Sequence, residues 1–447
     1  MTAAIRCTIR PRLINKLQLL RTILILCAGL CHSMVQAQIQ FQPPLPEQVQ
    51  IPTSITQQKE SLSVTNELEQ DLYMDAMRSI AEGHRDDASR TLRRMVRQEP
   101  QHAGAWLDLA LIQCELGNGD EAERLFKLIE ERFAPPPVIL AVIAARREVG
   151  CKAWEAHSTY AVSIGRGYDT NVNQGASSSI FTIGPVSQRI ELELLPEYLP
   201  QQDQFTLLTM GYRRTISSNG AIIFAQFEAR QNDHLARQNT TASVGGIDVP
   251  WRWNDWTLHG MASLAMVSLG GQMYQIQSHA QTELTHAVTD RIQAGLIASV
   301  TNAVYPTQTN FNSNTLELGQ QISYQNTWSF SQANLSYLTD HALGPRPGGD
   351  RHGWLVSLGS RFRLSDRILG ELNWSHQNWQ SDSAYSPGLI DQARHEDTQI
   401  WRSGLSYQLA PHQSLLLEWR TVHNNENISI FQYRSQQIKL SWQWQAG

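Results

Sequence analysis

Beyond Trp154 apolar and polar residues alternate at every second position, whereas between residues 69 and 153 apolar residues recur at the three- and four-residue spacing of helices. In the stretch GWLVSLGSRFRLSDRILGELNW, Trp354, Val356, Leu358, Phe362 and Leu364 alternate with Leu355, Ser357, Gly359, Arg361 and Arg363. Ile368, Leu372 and Trp374 then alternate with Arg367, Leu369, Glu371 and Asn373, which predicts a hairpin closed at Ser365-Asp366 with one apolar and one mostly polar face. A soluble sandwich shows the same alternation, so other features must choose the architecture. Connections switch between short turns, at Ser365-Asp366 and 410–413, and long polar loops at 341–352, 381–397 and 423–429. The last strand, from about Ile430 to Trp444, sets Ile438, Leu440, Trp442 and Trp444 against Lys439, Ser441 and Gln443, an amphipathic closing strand of the kind barrel-assembly machinery reads. Every Trp except Trp106 and Trp154 falls beyond residue 154, as aromatic girdles at two membrane interfaces require. The 294 residues left after residue 153 (447 − 153), at about 21 per strand and connection, predict a transmembrane antiparallel β-barrel of about 14 strands over 154–447.

The helical part is self-similar at an offset of 34: Gly83 matches Gly117, Ala88 matches Ala122, Leu92 matches Phe126, and Pro100 matches Ala134 just before Pro135. That is the period and residue pattern of tetratricopeptide repeats, and it predicts a short domain over 69–153 with Val138 to Val149 as a further, capping helix. The fold class is therefore α+β and multidomain. By similarity to such repeats, Tyr73, Met77, Leu107 and Leu111 lie on the concave side of the first helices and offer an apolar groove to a client; as a bare pattern they fit core positions equally well.

Arg6, Arg10, Arg12, Lys16 and Arg21 precede an apolar run from Ile23 to Leu30, and Val35-Gln36-Ala37 suits a signal peptidase, so 1–37 reads as a signal peptide. The run is far short of the roughly 20 residues that a bilayer-crossing helix needs. No later segment resembles such a helix, which leaves a closed barrel as the way to satisfy backbone groups in lipid. Residues 38–68 are rich in Gln and Pro and read as a flexible lead-in. Of five cysteines, Cys114 and Cys151 remain after the signal; they pair or stay free, and the helical setting of Cys114 favours a free, buried thiol. A net charge of −5 argues against nucleic acid as a partner.

The stretch GYDTNVNQGASSSI spaces Asp169, Asn171 and Asn173 like the first ligands of a calcium loop, but Gln174 and Ile180 stand where glycine and a bidentate glutamate are required. Read as extended chain, the three side chains share one face at the end of a first barrel strand, TYAVSIGRGYD, in the lumen or at the mouth. An Asx-rich turn fits the composition equally well.

A signal peptide, a short tetratricopeptide domain, and a barrel opening on Tyr168, Asp169, Asn171 and Asn173 together resemble the surface lipoprotein assembly modifier family, the outer-membrane proteins called Slam. The resemblance implies a periplasmic helical domain that engages a client, and an outer-membrane barrel, held among outer-membrane lipids, that delivers a lipoprotein or secreted binding protein to the surface. This helical domain is shorter than the family pattern. The competing expectation is an exopolysaccharide export porin, which also joins such repeats to a barrel; a purely adhesive barrel needs no repeats. No zinc helix, nucleophile elbow or phosphate loop is present, His352, His376, His395 and His423 lie near loops or strand ends, and neither enzymatic activity, a cofactor nor a metal is expected.

Overall fold

A computed structural model describes residues 65–151, 156–184, 190–253, 256–289 and 291–446. Residues 1–37, expected to be a signal peptide, and most of the expected lead-in at 38–68 lie outside the described residues. Five helices come first: α1 (Thr65–Ala81), α2 (Arg85–Gln98), α3 (Ala103–Glu115), α4 (Gly119–Phe133) and α5 (Pro137–Val149). The 34-residue offset reappears as hydrogen bonding, because the His84 amide donates to the Ser79 carbonyl and the Asn118 amide to that of Gln113. Gly83 and Gly117 take φ of +78° and +81° in those turns, a region that costs a side-chain-bearing residue energy. Ala88 and Ala122 are fully buried where helices cross, with Leu92 and Phe126 filling the core behind them. Proline at its first turn starts α5, which is tied to α4 by Arg147 bridging Glu123 and Glu130.

Cys114 and Cys151 form a disulfide, against the expectation of free thiols. Gly150, at φ +77°, turns the chain back at the end of α5 and brings Cys151 onto the core beside α3, a return that one-dimensional spacing does not report.

The remaining chain runs through β1 (Ser158–Asp169), β2 (Ile180–Ile183), β3 (Ile190–Glu193), β4 (Asp203–Thr215), β5 (Ile222–Asn232), β6 (Thr240–Trp253), β7 (Trp256–Leu269) and β8 (Gln272–Thr289). It continues through β9 (Ile292–Val304), β10 (Ser313–Gln325), β11 (Ser329–Ala342), β12 (Arg351–Ser365), β13 (Ile368–Ser386), β14 (Ile390–Ala410), β15 (Gln413–Glu426) and β16 (Tyr433–Ala446). β2 and β3 form a separate hairpin; the other 14 strands close into one antiparallel barrel in which β1 pairs with both β4 and β16. Closure leaves the barrel no edge, so each strand's backbone bonds to two neighbours.

Alternation now has a direction. Ile164, Met210, Leu296, Leu318, Leu405 and Leu440 are exposed on the outside, while Ser357, Gly359, Arg361 and Lys439 line the interior. Tyr160, Trp251, Trp256, Tyr324, Tyr407 and Trp442 are exposed near the short-turn ends of their strands, and Tyr337 packs edge-on against Trp354 near the opposite rim. All connections on the side where β1 begins and β16 ends are short, the longest being 216–221. On the other side long loops at 170–202 and 343–350 alternate with tight turns at 270–271 and 387–389.

Residues 381–397, expected as a loop, are instead the paired ends of β13 and β14, the two longest strands at 19 and 21 residues. Above an apolar band both faces of a strand meet water, so a polar sequence without alternation is compatible with pairing there. The final strand likewise begins at Tyr433, since Ser429–Phe431 form a short 3-10 turn.

The disulfide spans 37 residues, for which the loop-entropy relation gives about 4 kcal/mol. Cys151→Ser is expected to lower the helical unfolding midpoint in a circular-dichroism melt, with reductant shifting the wild type to the variant's value and leaving the variant unmoved.

Candidate functional site

Inward-facing residues of the barrel enclose a cavity of about 1030 Å³. Its two walls differ in chemistry. Strands β14 to β16 and β4 to β6 supply Arg402, Glu418, Arg420, Lys439, Arg213, Glu228, Arg230 and Asp248. Strands β8 to β13 supply mostly amides and hydroxyls, among them Gln281, Gln321, Gln332, Asn334, Ser357 and Gln377. Most charges are matched: Glu418 accepts from Arg402 Nε at 2.7 Å and lies 3.3 Å from Lys439 Nζ, and Asp169 accepts from Arg230 at 2.9 Å. The Arg230 guanidinium also sits 4.0 Å over the ring of Phe205.

The helical domain attaches to the short-turn rim at the β4–β5 turn and the end of β6. Arg252, an inward residue near the end of β6, donates to Asp75 at 2.9 Å and to Glu82 at 2.8 Å, both on or next to α1. Its side chain is only 4% exposed, so the attachment is a buried ion pair rather than a surface contact. Removing one partner from such a pair costs about 3–5 kcal/mol, because the remaining charges are left without compensation. The adjacent turn completes the contact: the Arg85 amide donates to the Ser218 carbonyl at 3.2 Å, and the Ser218 hydroxyl bonds Asp86. His84, between α1 and α2, faces Gly220 and contributes to the cavity lining. A Cβ on Gly220, already at φ +85°, would meet the His84 ring at 3.2 Å.

Burial and the neighbouring Arg252 charge push the His84 imidazole down to about 4, so it is neutral when docked. Burial pushes the Glu82 carboxyl up from its ordinary range despite Arg252.

At the opposite rim the Tyr168–Asn173 stretch is a clasp. β1 ends at Asp169, whose Oδ1 accepts the Asn171 amide at 3.0 Å in an Asx turn and the Ser435 hydroxyl at 2.8 Å. Asn171 donates to the Gly175 and Arg434 carbonyls at 3.0 and 2.9 Å, and accepts the Gly175 amide at 2.7 Å. Asn173 donates to the Glu197 and Leu199 carbonyls and accepts the Gln201 amide. Tyr168 donates to Gln202 from the outer face of β1. Thus the extended geometry assumed from sequence ends at Asp169, and the Asp and Asn side chains spend their polar atoms on seam and loop instead of lining an open pore. Gly175 is obligatory here, since a Cβ would lie 2.2 Å from the Leu199 carbonyl carbon. Beyond the clasp, Phe181, Ile183 and Leu194 pack on Tyr385, Ile390, Ile428, Ile430 and Phe431, binding the long first loop to the raised β13–β14 hairpin.

Tyr73, Met77, Leu107 and Leu111 are half-buried against the helical core, and the Tyr73 hydroxyl donates to Asp108 at 2.7 Å. Arg252 and His84 were not singled out by sequence reasoning. The one available signal is an isolated arginine in the aromatic run PWRWNDW.

Residues 79–145 match the family model described as tetratricopeptide repeat. No curated protein matches the chain significantly. Solved structures similar to the barrel include Acinetobacter baumannii OccAB3 (8% identity, TM-score 0.36, 65% of this chain and 99% of that one). The outer membrane channel DcaP of Acinetobacter baumannii gives 11% identity and a TM-score of 0.39 over 65% and 97% of the two chains. A bacterial polysaccharide outer membrane secretin gives 9% and 0.33 over 64% and 98%.

Docking is expected to depend on pH through His84. A histidine held at about 4 when docked and near its ordinary 6.5 when released takes up a proton on undocking, so docking is strongest above pH 6.5 and weakens as pH falls toward 4. Raised Glu82 acts oppositely, favouring docking in acid. Comparing wild type with His84→Asn isolates the histidine: the spin-label distance between α4 and the 366–367 turn should broaden on acidification more in the wild type.

Proposed function

We propose that this chain is an outer-membrane translocator whose helical domain, in the periplasm, engages a client protein and whose barrel helps deliver it, as a surface lipoprotein, to the cell exterior. The observation that carries the reading is the attachment of a tetratricopeptide-type domain to the short-turn rim of a closed, polar-lined barrel, through Arg252, Asp75 and Glu82. A binding module with its own core has no structural duty at a barrel mouth, and a barrel that stands alone needs no such cover. Short turns on that side and long loops on the other fit a periplasmic and an external face respectively.

The groove residues Tyr73, Met77, Leu107 and Leu111 retain partial exposure and are the proposed client contacts. A cavity of about 1030 Å³ is at the upper limit of small-ligand pockets, roughly 300–1,000 Å³, and does not hold a folded domain. Delivery through the barrel therefore takes an extended segment after the helical cover moves; delivery along its outer surface needs no such movement. No part of this scheme requires an enzyme activity or a cofactor.

The amide- and hydroxyl-rich wall of β8 to β13 favours the second reading, export of a polysaccharide, because such groups hydrogen-bond sugar hydroxyls without trapping charge. Protease shaving of intact cells separates the two. Exposure of a co-expressed lipoprotein should depend on this chain; unchanged exposure of several lipoproteins, together with loss of a secreted glycan on deletion, would replace translocation by polymer export.

A further inference from the structure

Arg420 occupies an unusual position. It points inward from β15, directly opposite Arg402 in the β14–β15 register, with Gln437 across on β16. Like charges directly opposite one another on paired strands destabilise the sheet. Arg402 is relieved by Glu418, which Lys439 shares from the other side. Among the described residues, Arg420 has no direct side-chain hydrogen bond or ion pair, and its side chain lines the cavity. Tyr433, Asp169 and Glu418 attract it through space, but none of them makes an ion pair or hydrogen bond with it. Asp169 is committed to Arg230, and Glu228, which faces the group from β5, forms no ion pair with Arg420. Arg230, Arg402, Arg420 and Lys439 gather here with Asp169, Glu228, Glu418 and, beside Arg402, Glu371, and of the four cations Arg420 is the one that no acid contacts directly.

Guanidinium groups in a fixed fork are suited to a planar carboxylate, and rings of Arg or Lys are how pores select anions. We propose that Arg420, with Arg402 and Lys439 beside it, forms a mid-lumen binding site for the carboxylate of a small solute. Arg420 supplies the direct contact; Arg402 and Lys439, held by Glu418, supply the positive field around it. Gln437 adds an amide at the same level of the wall. The site goes beyond the translocator reading and does not rest on it, since it needs no client.

The test is calorimetric titration of the detergent-purified full chain with succinate, and with its uncharged diamide, at low chloride. Saturable binding of succinate and none of the diamide is expected, with affinity falling as chloride rises. Arg420→Gln should weaken succinate binding by about tenfold or more, the range for losing a hydrogen bond to a charged group. Arg420→Lys should recover part of it, and Arg237→Gln, in the exposed 233–239 loop, should leave it unchanged. Heat-modifiable migration of each variant checks that the barrel has folded. Absence of saturable binding in the wild type overturns the site whatever the variants do, as does equal binding by wild type and folded Arg420→Gln, or equal binding of the diamide.

Discussion

Closure of the sheet between β1 and β16 is the constraint on which the rest of the barrel depends. In lipid an unpaired strand edge costs several kcal/mol for each unsatisfied backbone group, so the seam must be complete from rim to rim. It pairs Tyr160 with Ala446 at one end and Asp169 with Gln437 at the other. Past that last pair the clasp takes over: Thr170 donates to the Gln436 carbonyl, Asn171 to that of Arg434, and Asp169 receives the Ser435 hydroxyl. The same Asp169 reaches Arg230 on β5, so one carboxylate ties the first strand to the last and to the third member of that wall. Gly167 permits it, because a Cβ there would meet the Phe205 ring at 2.3 Å and the Ile438 carbonyl at 2.8 Å. The spaced Asp and Asn residues thus serve closure first, whatever else passes beside them.

The second tie, at the other rim, joins two separate cores. Helices α1 to α5 bury their own apolar cluster, and the barrel has its own closed ladder of backbone hydrogen bonds. What joins them is polar: Arg252 with Asp75 and Glu82, Ser218 with Asp86, and a neutral His84 against the cavity. A polar, titratable junction is easier to open and remake than an apolar one, since each released charge regains its hydration.

Much of this architecture was legible in the sequence, for identifiable reasons. Barrel strands alternate because lipid and lumen impose opposite demands on successive residues, which is why the hairpin at Ser365-Asp366 and the Lys439 face of the last strand were readable. The repeat was readable because Gly83, Ala88 and Leu92 recur after 34 positions under the same steric demands. The β13–β14 extension was hidden, since water on both faces removes the alternation. Asp169, Asn171 and Asn173 could be located but not assigned a role, because an Asx turn and an extended strand use the same composition. Arg252 and Asp75 stand 177 residues apart, and neither carries a local mark of the other. The Cys114–Cys151 bridge was misjudged on the same ground, since burial in a helix is compatible with either state.

The helical domain is joined to the short-turn rim of the barrel through α1, α2 and the turn between them. Asp86 and Ser218 touch across that junction and lie 132 positions apart in sequence. Asp86→Cys combined with Ser218→Cys, in outer membranes of cells expressing the full chain, therefore tests it most directly by disulfide formation. The account predicts an intramolecular cross-link that forms without added oxidant catalyst and changes gel mobility only when both cysteines are present. A heat-modifiable, membrane-inserted double variant that fails to cross-link even with oxidant would contradict it.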